Sequence, residues 1–578
     1  MSAPVRWAAP APVLIEQEPL AVPFAGARGG EGPVTLGQTN ILCWLDGQPV
    51  HHAWMRRPLG PPPGCTVADV TATLAVLLAR YEGLRTTYGE GPVQRVAASG
   101  EFPVERYSES PGPGEATRGG DVLTGALGAV LDARPPLDPR EAALRVALVT
   151  EGDAVRAGVV EYSHLAADLQ AVAVLDREIA EMLRDPALRE AGPVRHQPLD
   201  QAHAEREPRT ARRIAGALEH WEDVLRAAPQ CAYPAARTGG PGGAGYAEMR
   251  SEAAAGALAH VAARTGLSRT AVVLAAVCAL LYRRTGHPEC TLVTLTSNRF
   301  APEAVGYVGT LVQGVPLRVD ADAPGFDELA RRARLAVLRA ARHGLYDAAE
   351  RTRLAERVQW ERGVRLSLDP VFHSRVAGPP PGPPPPLDEV RAARSRTSVT
   401  RGSRAATEVT VAFNLLQADD TVRLRLHTGH LDRLPPGALE DMLLAVERLL
   451  VEAAAGDLPP GRVTEALAVE PVPAGSGWLR AGSCWVEPAE VRRLLADVLA
   501  PAPFLLSCDT GRLVAYLAVT PGIGTPAQAH ARCMAALPGR PTAMAPAHYV
   551  LCDRPPRDPT DPCGWWRRPV VAEGSGRA

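Results

Sequence analysis

Ser163-His164-Leu165-Ala166-Ala167-Asp168 joins two segments of different periodicity. Before it, Ala157–Tyr162 reads as a strand. After it, Leu169–Leu183 carries apolar residues at spacings of three and four, the pattern of an amphipathic helix. A strand end fixes an imidazole, and the turn that follows leaves it reachable from a cleft, so His164 is a candidate proton-transfer group. Asp168, entering the helix, is placed to anchor the local backbone or to pair with an arginine. His-x-x-x-Asp also arises by chance, and a surface histidine beside a helix-start acid that favours the dipole is the plainer reading of the hexapeptide alone.

The rest of the chain narrows the choice. At 578 residues it is too long for one core, and two to four domains are expected. Hydrophobic residues make up 46% and charged residues 22%, ordinary for a globular protein. The 62 basic residues are all arginine and face 64 acidic ones, so no global field favours nucleic acid or an anionic membrane. The absence of lysine excludes a Schiff-base lysine, a phosphate-loop lysine and a lysine nucleophile. The ten cysteines are scattered, with no Cys-x-x-Cys and no Cys/His cluster at zinc-ligand spacing, so no metal is expected. The longest apolar run, Ala271–Tyr282, is too short to span a bilayer, and prolines at 4, 10 and 12 interrupt the N-terminus. A cytoplasmic protein with reduced, mostly buried cysteines is the expectation.

Taken in order, residues 1–32, rich in Pro, Gly and Ala, read as a flexible arm. Thr35-Leu36-Gly37-Gln38 opens a helical or turn segment, and Val50–Arg56 alternates like a strand. His51 and His52 are adjacent on that strand and would point to opposite faces, which argues against a shared ligand. Thr66–Glu82 is a strong amphipathic helix with Thr66 as N-cap. Leu144–Val149 and 157–162 are strands. Further on, Ile214–Arg226, Ser268–Arg284 and Phe326–Arg342 read as helices, and Cys290–Thr296 as a buried strand. Gly378–Pro386 reads as an exposed polyproline loop, followed by five arginines between 391 and 404 that read as a solvated basic loop. Val409–Leu415 and Thr421–His427 read as paired strands, Pro435–Ala455 as a closing helix and 457–474 as a linker.

These elements and motifs, in this order, resemble the condensation domains of nonribosomal peptide synthetases over about residues 33–455. The family's His-His-x-x-x-Asp-Gly is matched by Ser163-His164-Leu165-Ala166-Ala167-Asp168-Leu169, with Ser163 in place of the first histidine and Leu169 in place of the glycine. Arg80-Tyr81-Glu82-Gly83-Leu84-Arg85-Thr86-Thr87-Tyr88 is similar to Arg-His-Glu-x-Leu-Arg-Thr-x-Phe. Thr35–Gln38 is similar to Ser-x-Ala-Gln, and the 268–286 helix, its strand and Arg299 to the stretch leading into the second lobe. Val305-Gly306-Tyr307-Val308-Gly309-Thr310 is similar to Ile-Gly-x-Phe-Val-Asn-Thr, with Gly309 for the asparagine.

The resemblance implies an α/β (α+β) fold of two chloramphenicol-acetyltransferase-like lobes, 33–200 and 201–456, in a V with a central tunnel. It also implies an acyltransferase of natural-product (secondary metabolite, antibiotic) biosynthesis. Such an enzyme joins a carrier-protein-bound acyl or aminoacyl thioester to an amine, or to an alcohol. Its partners would be peptidyl or acyl carrier proteins, with an adenylation protein as a further partner. Its substrate would ride on the carrier's 4′-phosphopantetheine, and no cofactor would be bound. His164 would be the general base or positioning group, Asp168 would pair with Arg85 to fix its loop, Ser163 and Leu169 would flank it, and Gly306, Gly309 and Thr310 would lie in a tunnel or latch region. Two alternatives stay open: a coenzyme A-dependent acyltransferase on the same fold, and a non-catalytic carrier-protein-binding protein.

Residues 475–570 resemble the small C-terminal subdomain of adenylation enzymes at Trp485–Val491, Gly511–Tyr516 and Met544–Val550, ahead of a tail at 571–578. The family's closing lysine has no counterpart. A small α+β remnant that serves for docking or as a spacer is the expectation.

Overall fold

The computed structural model describes residues 12–577 apart from 47–48, 90, 111–118, 191, 193, 195, 232, 234–241, 368, 377–381, 404–408, 473–476 and 509–511. Two compact units are present: Met1–Ala215 with Ser297–Gln313 and Leu345–Ala349, and Gly216–Thr296 with Gly314–Gly344 and Glu350–Ala578. The division at 215/216 falls inside the helix Pro208–Ala227.

The first unit is built on a mixed five-stranded sheet in the order Leu14–Ala25, Ser99–Glu109, Leu144–Glu151, Ala154–Ser163, Trp54–Leu59. Ser99–Glu109 and Leu144–Glu151 run parallel, and the other neighbours antiparallel. The two central strands are buried on both faces, which explains their continuous apolar runs. Helices Val67–Arg80 and Leu169–Arg184 turn Leu74, Leu77, Leu78, Val172, Leu175 and Ile179 into one core. Thr66 and Asp69 close a reciprocal capping box at the start of the former.

Two expectations are corrected here. The segment read as a loose arm is, from Leu14 on, an edge strand whose Leu20, Val22 and Phe24 alternate inward. Its prolines hid it: Pro19 sits where the register shifts between Gln17 and Leu20, and an edge strand tolerates Pro23. Residues 1–11 of the arm lie outside the described residues. Val50–Ala53 is a 3-10 turn, not a strand, and it brings the rings of His51 and His52 to 4.4 Å. The strand begins only at Trp54.

The second unit carries a seven-stranded sheet in the order Gln313–Asp320, Glu289–Thr296, Val371–Ser374, Ala412–Ala418, Val422–Thr428, Gly245–Ser251, Ser398–Ser403. Ala412–Ala418 and Val422–Thr428 form the expected antiparallel pair. Helices Glu252–Thr265, Arg269–Thr285, Phe326–Arg342 and Ala438–Ala454 pack on it. Among the described residues no single helix is long and apolar enough to cross a membrane. Glu252–Thr265 and Arg269–Thr285 would qualify only together, and they meet at 106° inside the core.

Within the stretch read as linker, Pro460–Leu467 is helical and buries Leu467. Of the polyproline segment, residues 382–386 are described and mostly exposed, while 378–381 lie outside the described residues. The arginines that follow are paired to carboxylates: Arg391 with Asp388, Arg394 with Glu447, Arg396 with Glu252 and Arg401 with Glu440. Arg404 lies outside the described residues. The C-terminal part adds a hairpin, Leu479–Ala481 with Cys484–Val486, and a four-stranded sheet in the order Phe504–Ser507, Val514–Ala518, His548–Cys552, Val570–Gly574. A hydrophobic cluster around Val491, Leu494, Leu517 and Leu551 holds it.

Candidate active site

The site is assembled within the first unit. The strand Ala154–Ser163 ends where Ser163 N–H donates to the Ala143 carbonyl at 2.9 Å, and His164 N–H reaches the Ala53 carbonyl at 2.7 Å. The next residues turn back: Ala166 and Ala167 N–H both donate to the Ser163 carbonyl at 3.0 Å. Ser163 is fully buried. Its Oγ donates to the Pro139 carbonyl at 3.3 Å and accepts from Leu165 N–H at 3.2 Å. The hydroxyl that stands in place of the family's first imidazole therefore braces the turn.

His164 itself is half-buried. Its Nδ1 is sealed against its own backbone and makes no hydrogen bond to another residue, which leaves Nε2 as the nitrogen with access. Trp44, from the helix Leu36–Leu45, meets the imidazole edge-on with ring centroids 6.2 Å apart. Burial pushes the imidazole pKa below its usual 6.5, opposed by its own backbone carbonyl and by the Asp168 charge. At neutral pH the ring is uncharged and able to accept a proton.

Asp168 caps the helix Leu169–Arg184, its Oδ1 accepting from Gln170 N–H at 3.1 Å and Ala171 N–H at 2.9 Å. The same oxygen accepts from Arg299 Nη2 at 2.6 Å, and Oδ2 accepts from Leu311 N–H at 3.0 Å. The expected pairing with Arg85 is not formed. Arg85 instead donates to three carbonyls: Leu78 at 3.0 Å, Arg28 at 2.7 Å, and Ala97. It staples the end of the helix Val67–Arg80 to two loops, and burial lowers its pKa.

Arg299 completes its own shell on the carbonyls of Tyr307 at 2.7 Å and Gly309 at 3.0 Å, with its guanidinium 5.6 Å from the Tyr307 ring centre. Just before it, Asn298 adopts the left-handed region at φ 54° and donates to the Leu311 carbonyl at 2.9 Å. Gly306 is left-handed too, at φ 78°, and exposed. Gly309 answers a different demand: a Cβ there would lie 2.4 Å from the Tyr307 ring. Thr310 is buried, and its carbonyl approaches the start of the helix Leu36–Leu45 so closely that a Cβ on Gly37 would meet it at 2.0 Å. Leu169 is the first helical residue, 48% exposed and not left-handed, so the backbone there does not require the family's glycine.

A buried polar ladder, whose role the motifs alone did not reveal, supports the turn. Tyr88 OH donates to the Leu165 carbonyl at 3.0 Å and accepts from Gln38 Nε2 at 3.1 Å. Gln38 and Thr35 form the reciprocal cap of the helix Leu36–Leu45. Glu205 accepts from Leu36 N–H at 2.7 Å, and burial pushes its pKa up to about 7. Among the described residues no cluster of His, Cys, Asp and Glu is arranged to hold a metal.

The family model for the condensation domain matches residues 51–374 of this sequence, more than half of it and including the whole His164–Asp168 turn. The chain belongs to the condensation-domain family. Solved condensation structures share the fold at low identity. The X-domain bound to OxyB from teicoplanin biosynthesis is 21% identical, covers 77% of this chain and 97% of its own, and has a TM-score of 0.54. The first condensation domain of the calcium-dependent antibiotic synthetase, in complex with a substrate analogue, is 19% identical, with coverages of 75% and 98% and a TM-score of 0.52. The nonribosomal peptide synthetase FmoA3 is 18% identical, with coverages of 86% and 48% and a TM-score of 0.51. Among curated proteins none matches the chain.

Proposed function

We propose that the protein is a condensation enzyme of peptide natural-product biosynthesis, joining a carrier-bound acyl or aminoacyl thioester to an amine or alcohol. The observation that carries this reading is the His164 imidazole: one nitrogen sealed, the other open, and the ring kept neutral by burial. In the step proposed, the acceptor's nitrogen or oxygen attacks the thioester carbonyl. The new C–N or C–O bond forms, the C–S bond breaks, and the carrier's phosphopantetheine leaves as thiol. His164 Nε2 accepts the proton of the attacking group, or orients that group, and the proton is returned to the sulfur. Tethering both reactants supplies much of the remaining acceleration by proximity. Asp168 and Arg299 hold the turn and do not react.

The test is reconstitution with loaded carrier proteins and an amine acceptor, followed by intact mass. Product formation by wild type, reduced at least 100-fold in His164→Ala, supports the reading; equal rates in both remove His164 from the chemistry. Faster turnover of coenzyme A thioesters than of carrier-bound donors would move the protein to the soluble acyltransferases.

A second reading rests on Ser163 at the first histidine position and on the likeness to a teicoplanin X-domain solved in complex with OxyB. In it the fold serves to bind a partner protein, and carrier or partner binding without turnover would select it. The C-terminal part, which has no lysine, is proposed as a docking remnant of an adenylation subdomain.

A further inference from the structure

In the second unit a groove of about 530 Å³ opens between the C-terminal end of the helix Arg269–Thr285, the start of Phe326–Arg342, the short helix Pro460–Leu467 and Trp485. Its size falls in the range of small-molecule sites, about 300–1,000 Å³. It shares no lining residue with the His164 site. The walls are apolar: Tyr282, Phe326, Val463, Leu467, Val472 and Trp485.

Two guanidinium groups reach this groove, and they differ. Arg284 is satisfied, bonding the Tyr233 hydroxyl at 2.8 Å and 3.0 Å and the Glu470 carbonyl at 2.5 Å. Arg283 is half-buried, and among the described residues it forms no ion pair. Its Nε is buried without a hydrogen-bond partner. A guanidinium beside an apolar wall with no ion pair leaves its charge available to an anionic ligand in the groove. The nearby helix start does not compete for that ligand, because Phe326 N–H already donates to the Leu458 carbonyl and Asp327 N–H to Asp457, each at 2.9 Å. Asp322 is the only carboxylate among the described lining residues.

We propose that this groove binds an amphipathic organic anion, its apolar body on Trp485, Phe326 and Leu467 and its carboxylate, sulfonate or phosphate on Arg283. The charge complementarity selects an anion over a neutral lipid, and the apolar walls select a body larger than inorganic phosphate.

The probe is 8-anilinonaphthalene-1-sulfonate, titrated by fluorescence into the full chain and displaced with decanoate. Saturable binding is expected, weakened about tenfold or more by Arg283→Gln and kept within about threefold by Arg283→Lys. Ala323→Trp, which fills the groove, is expected to abolish it, and this keeps the proposal testable if Arg283→Gln does not fold. Equal affinity of wild type and Arg283→Gln, retention of binding by Ala323→Trp, or no saturable binding by wild type each overturns the proposal.

Discussion

Asp168 and Arg299 meet at 2.6 Å across 131 residues of chain, both side chains more than nine-tenths buried. Both carboxylate oxygens are engaged, Oδ1 by two backbone N–H groups and the guanidinium, Oδ2 by Leu311 N–H. Its partners are backbone N–H groups and a guanidinium, and none of these bonds is to His164. Its work is mechanical: one acid caps the helix after the His164 turn and ties that turn to the 297–313 segment.

Removing one member of such a pair strands the other in low dielectric, at a cost of about 3–5 kcal/mol. Asp168→Asn and Arg299→Gln are therefore expected to lower the first denaturant transition by that amount each. Their double variant should be much less damaged than the sum. Asp168→Asn combined with Arg85→Gln should add to within about 0.5 kcal/mol, because the two residues share no partner. A double-mutant cycle by urea unfolding with tryptophan fluorescence reads both. Coupling of Asp168 to Arg85 instead of Arg299 would contradict the observed pairing.

The pH dependence of turnover follows from His164. Burial holds its pKa below 6.5, so the neutral, proton-accepting form persists as the pH falls to 6.5 and is lost only further down. The acid limb of kcat/KM is expected to have its midpoint below 6.5. Trp44→Ala, which admits water to the imidazole edge, should move that midpoint up toward 6.5 while leaving the alkaline limb in place. An acid limb above 6.5 in wild type would mean that burial does not hold the imidazole pKa down, and loss of activity as the pH rises through the imidazole range would mean that the ring works as the cation.

The turn itself was legible because periodicity changes from strand to helix within six residues and an aspartate marks the change. The strand Ala154–Ser163 and the helix Leu169–Arg184 lie where the pattern put them. Arg299 was legible as part of a motif but not as the partner of Asp168. That pairing exists only because residues 297–313 fold into the first unit, where Val308 joins its core, and no local signal encodes such a return. The strand Leu14–Ala25 was masked by prolines that only an edge position tolerates. Gly37 and Gly309 are required by close approaches, to the Thr310 carbonyl and the Tyr307 ring, that periodicity cannot show.

Restoring the family's residues at the departures is expected to harm this protein. Ser163 has no exposed surface, and an imidazole there would overpack the turn it braces. Ser163→His should cost about 1–3 kcal/mol and gain no activity. Gly309→Asn puts a side chain where a Cβ would already stand 2.4 Å from the Tyr307 ring, so it should lower the melting temperature by several degrees. Gly309→Asn together with Tyr307→Ala, which removes the clashing ring, should recover part of that loss if the clash is the cause. Thermal melts of the three variants and their double decide it.

Glu205 gives the fold a pH dependence with a definite sign. Its burial raises the carboxyl from the ordinary 4.5 to about 7, against the opposing hydrogen bonds from Gln201 and Leu36 N–H. A group whose folded pKa lies above its unfolded one stabilises fully below the unfolded value and loses that contribution as the pH rises through the folded one. For Glu205 the loss runs from about pH 4.5 to about 7 and amounts to at most about 3 kcal/mol. Glu205→Gln keeps an acceptor for Leu36 N–H but carries no proton to lose. Relative to that variant, wild type should become progressively less stable between pH 5 and about pH 8, with the difference flat above it. A stability difference independent of pH across this window would show that Glu205 ionises near its ordinary pKa, with water reaching the start of the helix Leu36–Leu45.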